Sequence, residues 1–276
     1  MHRFFIRLTG LIGLAVLAVA WPVTDRDVTA QEPQRLNRLI EQLEQDQAAI
    51  SGVDWQFIDM EHGPYLLDRL QTTLQGLREE GATRPRLAPI VRIPMEGDEN
   101  VRFATKQVLD LGAFGVVFPR VETAEQAERA VSAMRYPPQR GEASPEPAGR
   151  RGWGPGRAAR YWGLGVADYA RRADVWPLDP EGELFAMIMI ESADGVRNID
   201  EIVSVPGIGA IFIGPADLGM SLGVGPPTPA QPPETEAAIQ RILEACKAHD
   251  VICGLAEPRT ESEKRIAEGF RVLLAF

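Results

Sequence analysis

The stretch FIDMEHGP carries two carboxyl groups and a histidine directly behind an apolar run. Asp59, Glu61 and His62 stand where a strand would end and the chain would turn. Of the three histidines in the chain, His2 falls in an N-terminal segment of targeting character and His249 falls at a polar helix end. Histidine has an ordinary pKa near neutrality and is the commonest general base in enzymes. His62 is therefore our candidate for a catalytic base.

Three further ionisable groups follow other apolar runs. Arg92 ends one run in IVRIP, Glu191 follows another in MIMIES, and Asp217 follows a third in IFIGPADLG. Each alone has an ordinary structural interpretation, because a strand-end acid often caps a helix and an arginine often forms a salt bridge. Together they predict an active site, since the carboxyl ends of parallel strands in a barrel meet on one face.

This set of residues suits metal-assisted chemistry on a 2-oxo acid. The carboxylates of Glu191 and Asp217 are hard oxygen ligands, suited to Mg²⁺ or Mn²⁺, and they leave positions open for water and a chelating substrate such as pyruvate. The metal would act as a Lewis acid on the developing enolate, and Arg92 would stabilise the same oxyanion. An imine mechanism needs a buried lysine at a strand end instead. The lysines fall in helical segments: Lys106, Lys247 and Lys264.

The segments that would position these residues alternate between strands and helices. Seven strands are predicted, over residues 55–60, 87–92, 115–118, 185–190, 210–213, 251–254 and 271–276. Helices are predicted over 36–47, 66–78, 100–111, 124–134, 194–203, 234–249 and 261–268. Several strands are apolar throughout, as expected when both faces of a parallel sheet are covered. The alternation predicts an α/β fold, interrupted by a long proline- and glycine-rich loop over 137–155.

Length and composition fit one globular domain. The chain has 276 residues, of which 45% are hydrophobic and 25% charged, and α/β barrels of about 250 residues are single domains. The net charge is −10, and no basic run follows the first residues. This balance argues against a nucleic-acid-binding surface.

Residues 1–30 differ from the rest and are predicted to be a signal peptide. Arg3 and Arg7 precede an apolar run over residues 8–20, and small residues up to Ala30 offer a cleavage site. The run is too short for a comfortable membrane span. We expect an exported, periplasmic or secreted protein with one mature domain over residues 31–276 and no stable membrane span after cleavage. An uncleaved N-terminal membrane anchor is the alternative.

The cysteine content leaves two alternatives. An exported chain could form a disulfide, and only Cys246 and Cys253 are available. They fall on a predicted helix end and the strand that follows it. We expect two buried thiols, with a disulfide as the alternative.

At the site residues the sequence resembles the HpcH/HpaI aldolase and citrate lyase β-chain family, the metal-dependent pyruvate aldolases. DMEHGP resembles the Asp-x-Glu-His signature of that family. VRIP, VLDLGAFGVVFPRVETAEQAERAV, RYPP, MIES and IFIGPADLGMSLG follow in the same order. The resemblance extends over residues 52–276, and an ordered set of this kind is highly specific.

The resemblance implies a TIM-type (β/α)8 barrel, usually oligomeric, that cleaves a 4-hydroxy-2-oxo acid to pyruvate and an aldehyde. The enzyme would be a class II aldolase, a carbon–carbon lyase, with Mg²⁺ as the first choice of metal and Mn²⁺ or Co²⁺ as alternatives. By motif the resemblance assigns one role to each site residue: His62 as base, Arg92 as oxyanion stabiliser, Glu191 and Asp217 as metal ligands, Asp110 as the acid that raises the basicity of the histidine, and Ala216 as a backbone contact to substrate.

Three departures from the family pattern shape the expectations. Met189 stands where many of these aldolases carry glutamine, so a hydrogen bond to substrate is lost and the preferred substrate shifts. A proline-rich insert follows RYPP. The segment GVDWQFIDMEH follows the first helix almost directly, and the chain stops at Phe276 inside the last strand. We therefore expect an incomplete barrel that lacks its first strand, the helix after it and the final helix.

Two alternative functions remain open at this point. MIES also resembles the malyl- and citryl-CoA-type lyases, although coenzyme A would be a surprising ligand outside the cytoplasm. The expected gap in the barrel would fit a non-catalytic, exported relic of the family. The intact set of His62, Arg92, Glu191 and Asp217 favours an active enzyme.

Overall fold

The computed structural model of the protein describes residues 35–94, 96, 99–141, 144–227 and 230–276. At its centre is one nine-stranded sheet, whose paired strands are parallel. The strands are β1 (Ala49–Ile50), β2 (Trp55–Asp59), β3 (Ala88–Arg92), β4 (Gly115–Phe118), β5 (Val175–Trp176), β6 (Leu184–Ile190), β7 (Ala210–Ile213), β8 (Cys253–Glu257) and β9 (Val272–Ala275). Eight follow one another in the order β1-β9-β8-β7-β6-β4-β3-β2, and β5 pairs with the start of β6. The predicted TIM-type α/β barrel is confirmed, as a nearly closed barrel.

Helices cover the outside of the strands. Those in the described ranges are α1 (Arg38–Glu44), α2 (Leu67–Gly76), α3 (Arg102–Leu111), α4 (Ala124–Met134), α5 (Gly156–Trp162), α6 (Val166–Arg172), α7 (Ala193–Arg197), α8 (Ile199–Val203), α9 (Pro215–Ser221), α10 (Pro233–Ala248) and α11 (Ser262–Glu268). Helix α10 buries Ile239, Ile242 and Leu243 on one face, which is the spacing of an amphipathic helix. Helix α4 begins with a capping box between Thr123 and Gln126. Local signals of this kind explain why the long helices are predictable.

All seven predicted strands are present, and one of them is shifted along the chain. The strand predicted over 251–254 begins at Cys253 and runs to Glu257. Asp250 adopts a left-handed conformation with a φ of 56°, and the Val251 N–H donates to the Cys246 carbonyl at 2.9 Å. Residues 251 and 252 therefore still belong to the turn that ends α10.

Several short elements were not predicted from the sequence pattern. Helices α5, α6 and α9 have seven residues each, and α5 and α9 begin among proline and glycine residues. The helix predicted over 194–203 is divided at Asn198 into α7 and α8. Elements this short depend on tertiary packing more than on their own periodicity.

The prediction that the first strand is missing is wrong, because β1 occupies its place with two residues. β1 pairs with the first half of β9, where the Ala49 N–H donates to the Arg271 carbonyl at 2.7 Å. An isolated parallel β-bridge between Ser51 and Trp55 then connects the end of β1 to the start of β2. The segment behind α1 is extended because its backbone groups satisfy the edge of β9. The helix that should follow is indeed absent, since only residues 51–54 connect β1 to β2.

Helix α1 closes the N-terminal end of the barrel, opposite the carboxyl ends of the strands. The N–H groups of Leu36 and Asn37 donate to the buried Glu183 carboxylate at 3.0 and 2.8 Å. The Asn37 side-chain amide donates to the Glu183 carbonyl at 3.0 Å. Leu39 and Ile40 of the helix are fully buried. This end of the barrel is therefore covered, whereas the carboxyl ends of the strands lie at the opposite end.

The predicted long loop over 137–155 is confirmed in its described part, which contains neither helix nor strand. Buried Arg135 holds the loop by donating to the carbonyls of Pro145 and Pro147 at 2.7 Å each. Its guanidinium also pairs with Asp174 at 2.6 Å. One arginine thus ties the insert to the barrel.

A carboxylate cluster around Arg265 yields a prediction about acid stability. Arg265 donates to both oxygens of Glu236, at 2.7 and 2.8 Å, and these bonds lower the pKa of Glu236 from 4.5 to about 2. A carboxyl whose pKa is lower in the folded state stabilises the fold above its unfolded pKa, and that contribution is lost as the pH falls toward the folded value. We expect Glu236→Gln to lower the free energy of unfolding above pH 5, with the deficit shrinking between pH 4.5 and 2.

Urea unfolding across this pH range measures the deficit. Glu234→Gln, in the same helix turn but exposed, is the matched control and should show little effect. A deficit for Glu236→Gln that is independent of pH would contradict the prediction.

Two further sets of predictions concern the N-terminal segment and the two cysteines. The signal peptide over 1–30 and the alternative anchor lie outside the described residues. Among the residues that the structure describes, no helix is long and apolar enough to cross a membrane. The prediction of two buried thiols is confirmed, because Cys246 and Cys253 are both free and buried.

Candidate active site

The carboxyl ends of four strands bring the predicted site residues to one face of the barrel. β2 leads into the DMEH segment, β3 ends at Arg92, and Glu191 follows β6 directly. β7 leads through Gly214 into α9, whose first turn carries Asp217. β2 and β3 are adjacent in the sheet, and so are β6 and β7, so the four strand ends form two neighbouring pairs.

Arg92 is the structural centre of this face. Its Nε and Nη2 atoms donate to the two carboxylate oxygens of Asp59 at 3.0 and 2.6 Å, and its Nη1 lies 3.0 Å from Glu61 Oε2. The guanidinium also stacks over the Phe57 ring, 5.3 Å from its centroid. Burial tends to raise the pKa of the Asp59 carboxyl, but Arg92 outweighs burial and holds this pKa below its ordinary value. Asp59 therefore fixes the plane of the guanidinium.

Glu191 is a buried carboxylate with one unsatisfied oxygen. Only 2% of the surface of this residue is exposed to solvent. Oε1 accepts a hydrogen bond from the Arg120 backbone N–H at 2.9 Å, whereas Oε2 is buried without a hydrogen-bond partner. Burial raises the pKa of Glu191 to about 7, and the nearby carboxylates of Glu61 and Asp217 add to this shift. A buried carboxyl group in such surroundings either takes up a proton or pairs with a cation.

A divalent cation fits this site on chemical grounds. The carboxyl groups of Glu61, Glu191 and Asp217 interact repulsively with one another, and Arg92 is already engaged by Asp59. Carboxylate oxygens are the ligands preferred by Mg²⁺ and Mn²⁺. Across the described residues, no three His, Cys, Asp or Glu side chains are arranged to hold a metal by themselves. Glu191 and Asp217 both lie at this face, and their role as metal ligands stays a prediction.

Gly214 and Met189 shape the space beside Glu191. A Cβ atom at Gly214 would lie 2.6 Å from both Glu191 Oε2 and the Met189 terminal methyl group. A side chain at position 214 would therefore displace the ends of the Glu191 and Met189 side chains. The Met189 sulfur lies 4.0 Å from Arg92 Nη1. An apolar side chain thus lies next to the guanidinium, and the contact of Met189 with the substrate stays a prediction.

Arg120 is a site residue that the sequence analysis missed. It follows β4 with a φ of 49°, in the left-handed region, and this conformation turns its N–H toward Glu191. The next N–H, that of Val121, donates to the Met189 carbonyl at 3.1 Å. The segment Pro119-Arg120-Val121 does not predict this role, because the backbone N–H of Arg120 makes the contact and its side chain does not.

His62 lies at the open rim of the site. Its side chain is 62% exposed, and Nε2 lies 3.7 Å from Glu61 Oε2. Glu61, which was not assigned a role from the sequence, therefore stands between the histidine and Arg92. The role of His62 as a base stays a prediction.

Asp110 is not brought to His62 within the chain. It lies in the last turn of α3, and α3 runs back toward the N-terminal ends of the strands, away from the catalytic face. Its carboxylate instead pairs with Lys106 at 2.9 Å and with buried Arg151 at 3.0 Å. The role implied by the resemblance stays a prediction, and it cannot be fulfilled within one chain in this arrangement.

The remaining assignment concerns the first turn of α9. Ala216 is exposed there beside Asp217, and backbone N–H groups in a first helical turn lack acceptors within the helix. The Ala216 backbone is thus available to a ligand, and its contact with substrate stays a prediction.

The fold and site define a class: a parallel α/β barrel with a carboxylate and arginine site at its strand ends. The sequence profile of the HpcH/HpaI aldolase/citrate lyase family matches residues 40–273. The chain belongs to this family, which confirms the predicted family and the carbon–carbon lyase class.

Individual relatives support the same assignment. The chain is 38% identical over 225 residues to the 2-keto-3-deoxy-L-rhamnonate aldolase of Klebsiella pneumoniae, covering 80% of this chain and 73% of that protein. It is 39% identical over 222 residues to the hydroxypyruvate/pyruvate aldolase of Delftia acidovorans, covering 80% and 72%. A solved HpcH/HpaI aldolase/citrate lyase family protein from Burkholderia cenocepacia aligns with a TM-score of 0.70 at 30% identity, covering 87% of this chain and 92% of that one.

Proposed function

We propose that this protein is a divalent-metal-dependent aldolase that cleaves a 4-hydroxy-2-oxo acid to pyruvate and an aldehyde. The observation that carries the proposal is the buried Glu191, whose Oε2 has no hydrogen-bond partner, beside Asp217 and the Asp59-clamped Arg92. The relatives named as aldolases support the reaction class. The metal is proposed to be Mg²⁺, with Mn²⁺ or Co²⁺ as alternatives.

Each site residue has a separate role in the proposed reaction. His62 removes the proton from the 4-hydroxyl group of the substrate, the bond between carbons 3 and 4 breaks, and the aldehyde leaves. Arg92 stabilises the negative charge on the oxygen of the pyruvate enolate, which then takes up a proton at carbon 3. A divalent ion held by Glu191 and Asp217 would supply Lewis-acid stabilisation of the same charge. Asp59 holds the Arg92 guanidinium in place throughout, because it engages both Nε and Nη2.

A pyruvate-release assay tests the proposal. The purified protein is incubated with 4-hydroxy-2-oxo acids after chelation, and then with Mg²⁺, Mn²⁺ or Co²⁺ restored. We expect turnover only with metal and no trapping of substrate by borohydride. Full activity in excess chelator would contradict the mechanism. A parallel assay with malyl- and citryl-CoA distinguishes the alternative lyase, and no activity on any of these substrates would favour the relic.

Arg92→Lys tests the guanidinium directly. Lysine keeps the positive charge but cannot make the two parallel bonds to Asp59. We expect kcat to fall by about 10² to 10³, as for the loss of an oxyanion-stabilising donor. Arg86→Lys, an exposed position before β3, is the control and should be fully active. Wild-type kcat in the Arg92→Lys variant would exclude the oxyanion role.

We propose further that the active protein is a homo-oligomer. Asp110 of one chain cannot reach His62 of the same chain, because it lies in the last turn of α3 and pairs with Lys106 and Arg151. The role implied by the family resemblance therefore calls for a second copy. Light scattering at assay concentration tests this, and a fully active monomer would refute it.

Export is a separate proposal that rests on the sequence of residues 1–30. The two arginines, the apolar run and the small residues before Gln31 support a cleaved signal peptide. Mass spectrometry of the native protein should find a mature N-terminus near Gln31. An intact Met1 on native protein from the cytoplasm would refute export.

A further inference from the structure

The two cysteines lie side by side although residues 247–252 separate them in sequence. Cys246 is in the last turn of α10, and Cys253 is the first residue of β8. Their sulfur atoms are in contact at 2.6 Å. They are the two cysteines of the whole sequence, and they are 1% and 2% exposed. No other residue separates the two sulfur atoms at this distance.

Backbone contacts bring the two cysteines close together. The left-handed Asp250 reverses the chain, and the Val251 N–H donates to the Cys246 carbonyl at 2.9 Å. On the other side, Cys253 is paired with Ile211 of β7. These contacts hold the two residues close to each other while the turn and the pairing of β8 are intact.

We propose that Cys246 and Cys253 form an intramolecular disulfide when the protein meets an oxidant of the disulfide class, and that this bond links α10 to β8. Each thiol gives up its proton, the sulfur–sulfur bond forms, and two electrons pass to the oxidant, whose own disulfide is released as two thiols. The pair lies at the N-terminal end of β8, away from the catalytic face, so the bond leaves the active site unchanged.

Burial of the two cysteines determines the conditions under which the disulfide forms. Burial raises the pKa of the Cys253 thiol, and the thiolate is the form that attacks a disulfide. The closed, folded protein should therefore exchange slowly. The bond forms during folding, before β8 is buried, or during local opening of the turn. An oxidising compartment, as predicted for an exported chain, favours the product.

Peptide mapping tests the proposal on the full protein. The protein is unfolded and refolded in oxidised glutathione, then unfolded again with an alkylating reagent and digested with trypsin. We expect no alkylated cysteine, and the peptides 242–247 and 248–259 recovered as one disulfide-linked species that dithiothreitol separates. Alkylation of both cysteines, glutathione adducts on either one, or a link between two chains would overturn the proposal.

Thermal unfolding provides a second readout. Closing a loop this short is expected to raise Tm by roughly 5 °C in the oxidised protein relative to the reduced protein. Cys246→Ala and Cys253→Ala should each abolish this dependence on redox state, while kcat stays at the wild-type level. If either variant fails to fold, the peptide map of the wild-type protein still decides. An equal Tm for both redox forms of the wild type would refute the link between α10 and β8.

Discussion

Replacement of His62 by alanine is expected to lower kcat for pyruvate formation by about 10² to 10⁴, the usual contribution of a positioned general base. His62 lies at the rim of the site, with 62% of its side chain exposed and Nε2 at 3.7 Å from Glu61 Oε2. From this position it can reach a substrate hydroxyl group and exchange its proton with water. Because the metal-ligand candidates are Glu191 and Asp217, affinity for the divalent ion should be unchanged.

The measurement compares kcat and the metal concentration at half-maximal activity in the same assay. His249→Ala is the matched control, since His249 is exposed at the end of α10, remote from the catalytic face. Added imidazole should restore part of the His62→Ala activity, because the removed ring leaves an open position. A kcat within a few-fold of wild type would remove His62 from the mechanism and would leave Glu61 as the nearest candidate base.

Replacement of Glu191 by glutamine is expected to have an effect of at least about 10² on kcat/KM, larger than the 10- to 100-fold effect of groups that only support a metal ligand. Glutamine keeps the shape of the side chain and can still accept the Arg120 N–H bond. It loses the charge that a divalent ion requires, and its amide nitrogen points N–H groups at the ion. The activity should recover only in part at saturating Mg²⁺ or Mn²⁺.

Stability in the absence of metal separates this effect from misfolding. The pKa of Glu191 is raised to about 7 by burial and by neighbouring carboxylates, so its ionised form is costly in the metal-free fold. Above that pH, glutamine should therefore leave the metal-free protein as stable as the wild type or more so. At the same concentration, added Mn²⁺ should raise the Tm of the wild type more than that of the variant.

The control for this series is Asp194→Asn, three residues further along the chain in the exposed first turn of α7. It should retain wild-type activity and metal dependence. Wild-type metal affinity in Glu191→Gln would show that the ion, if bound, is held elsewhere. Loss of activity together with a large loss of metal-free stability would instead indicate a structural role for Glu191.

The sequence by itself predicted an alternating α/β fold, the family whose barrel it resembles, and the strand ends that carry the candidate site residues. Continuous apolar runs predicted seven strands, and all seven are present. Each candidate at a strand end, from His62 and Arg92 to Glu191 and Asp217, was placed correctly because parallel strands deliver their carboxyl ends to the same side. This inference needs only the order of strands along the chain, which local hydrophobic patterns reveal.

The tertiary structure alone decided the contacts that are made by backbone groups or by residues distant in sequence. The two residues of β1 are extended because β9, at the other end of the chain, offers an unpaired edge. Arg120 reaches Glu191 through its N–H in a left-handed conformation. Both contacts are made by backbone groups, which almost every residue type carries. The amino-acid types in the sequence therefore could not predict them.

The same reason explains why the motif could assign a role to Asp110 without showing where that residue lies relative to His62. A motif records the residue type and its position along α3, whereas the direction of the helix decides which end of the barrel its last turn occupies. Helix α3 runs opposite to the strands, so Asp110 lies away from the strand ends and pairs with Lys106 and Arg151. Residue identity is a property of the sequence, but proximity between distant residues is set by the packing of whole elements, which becomes definite only when the barrel forms.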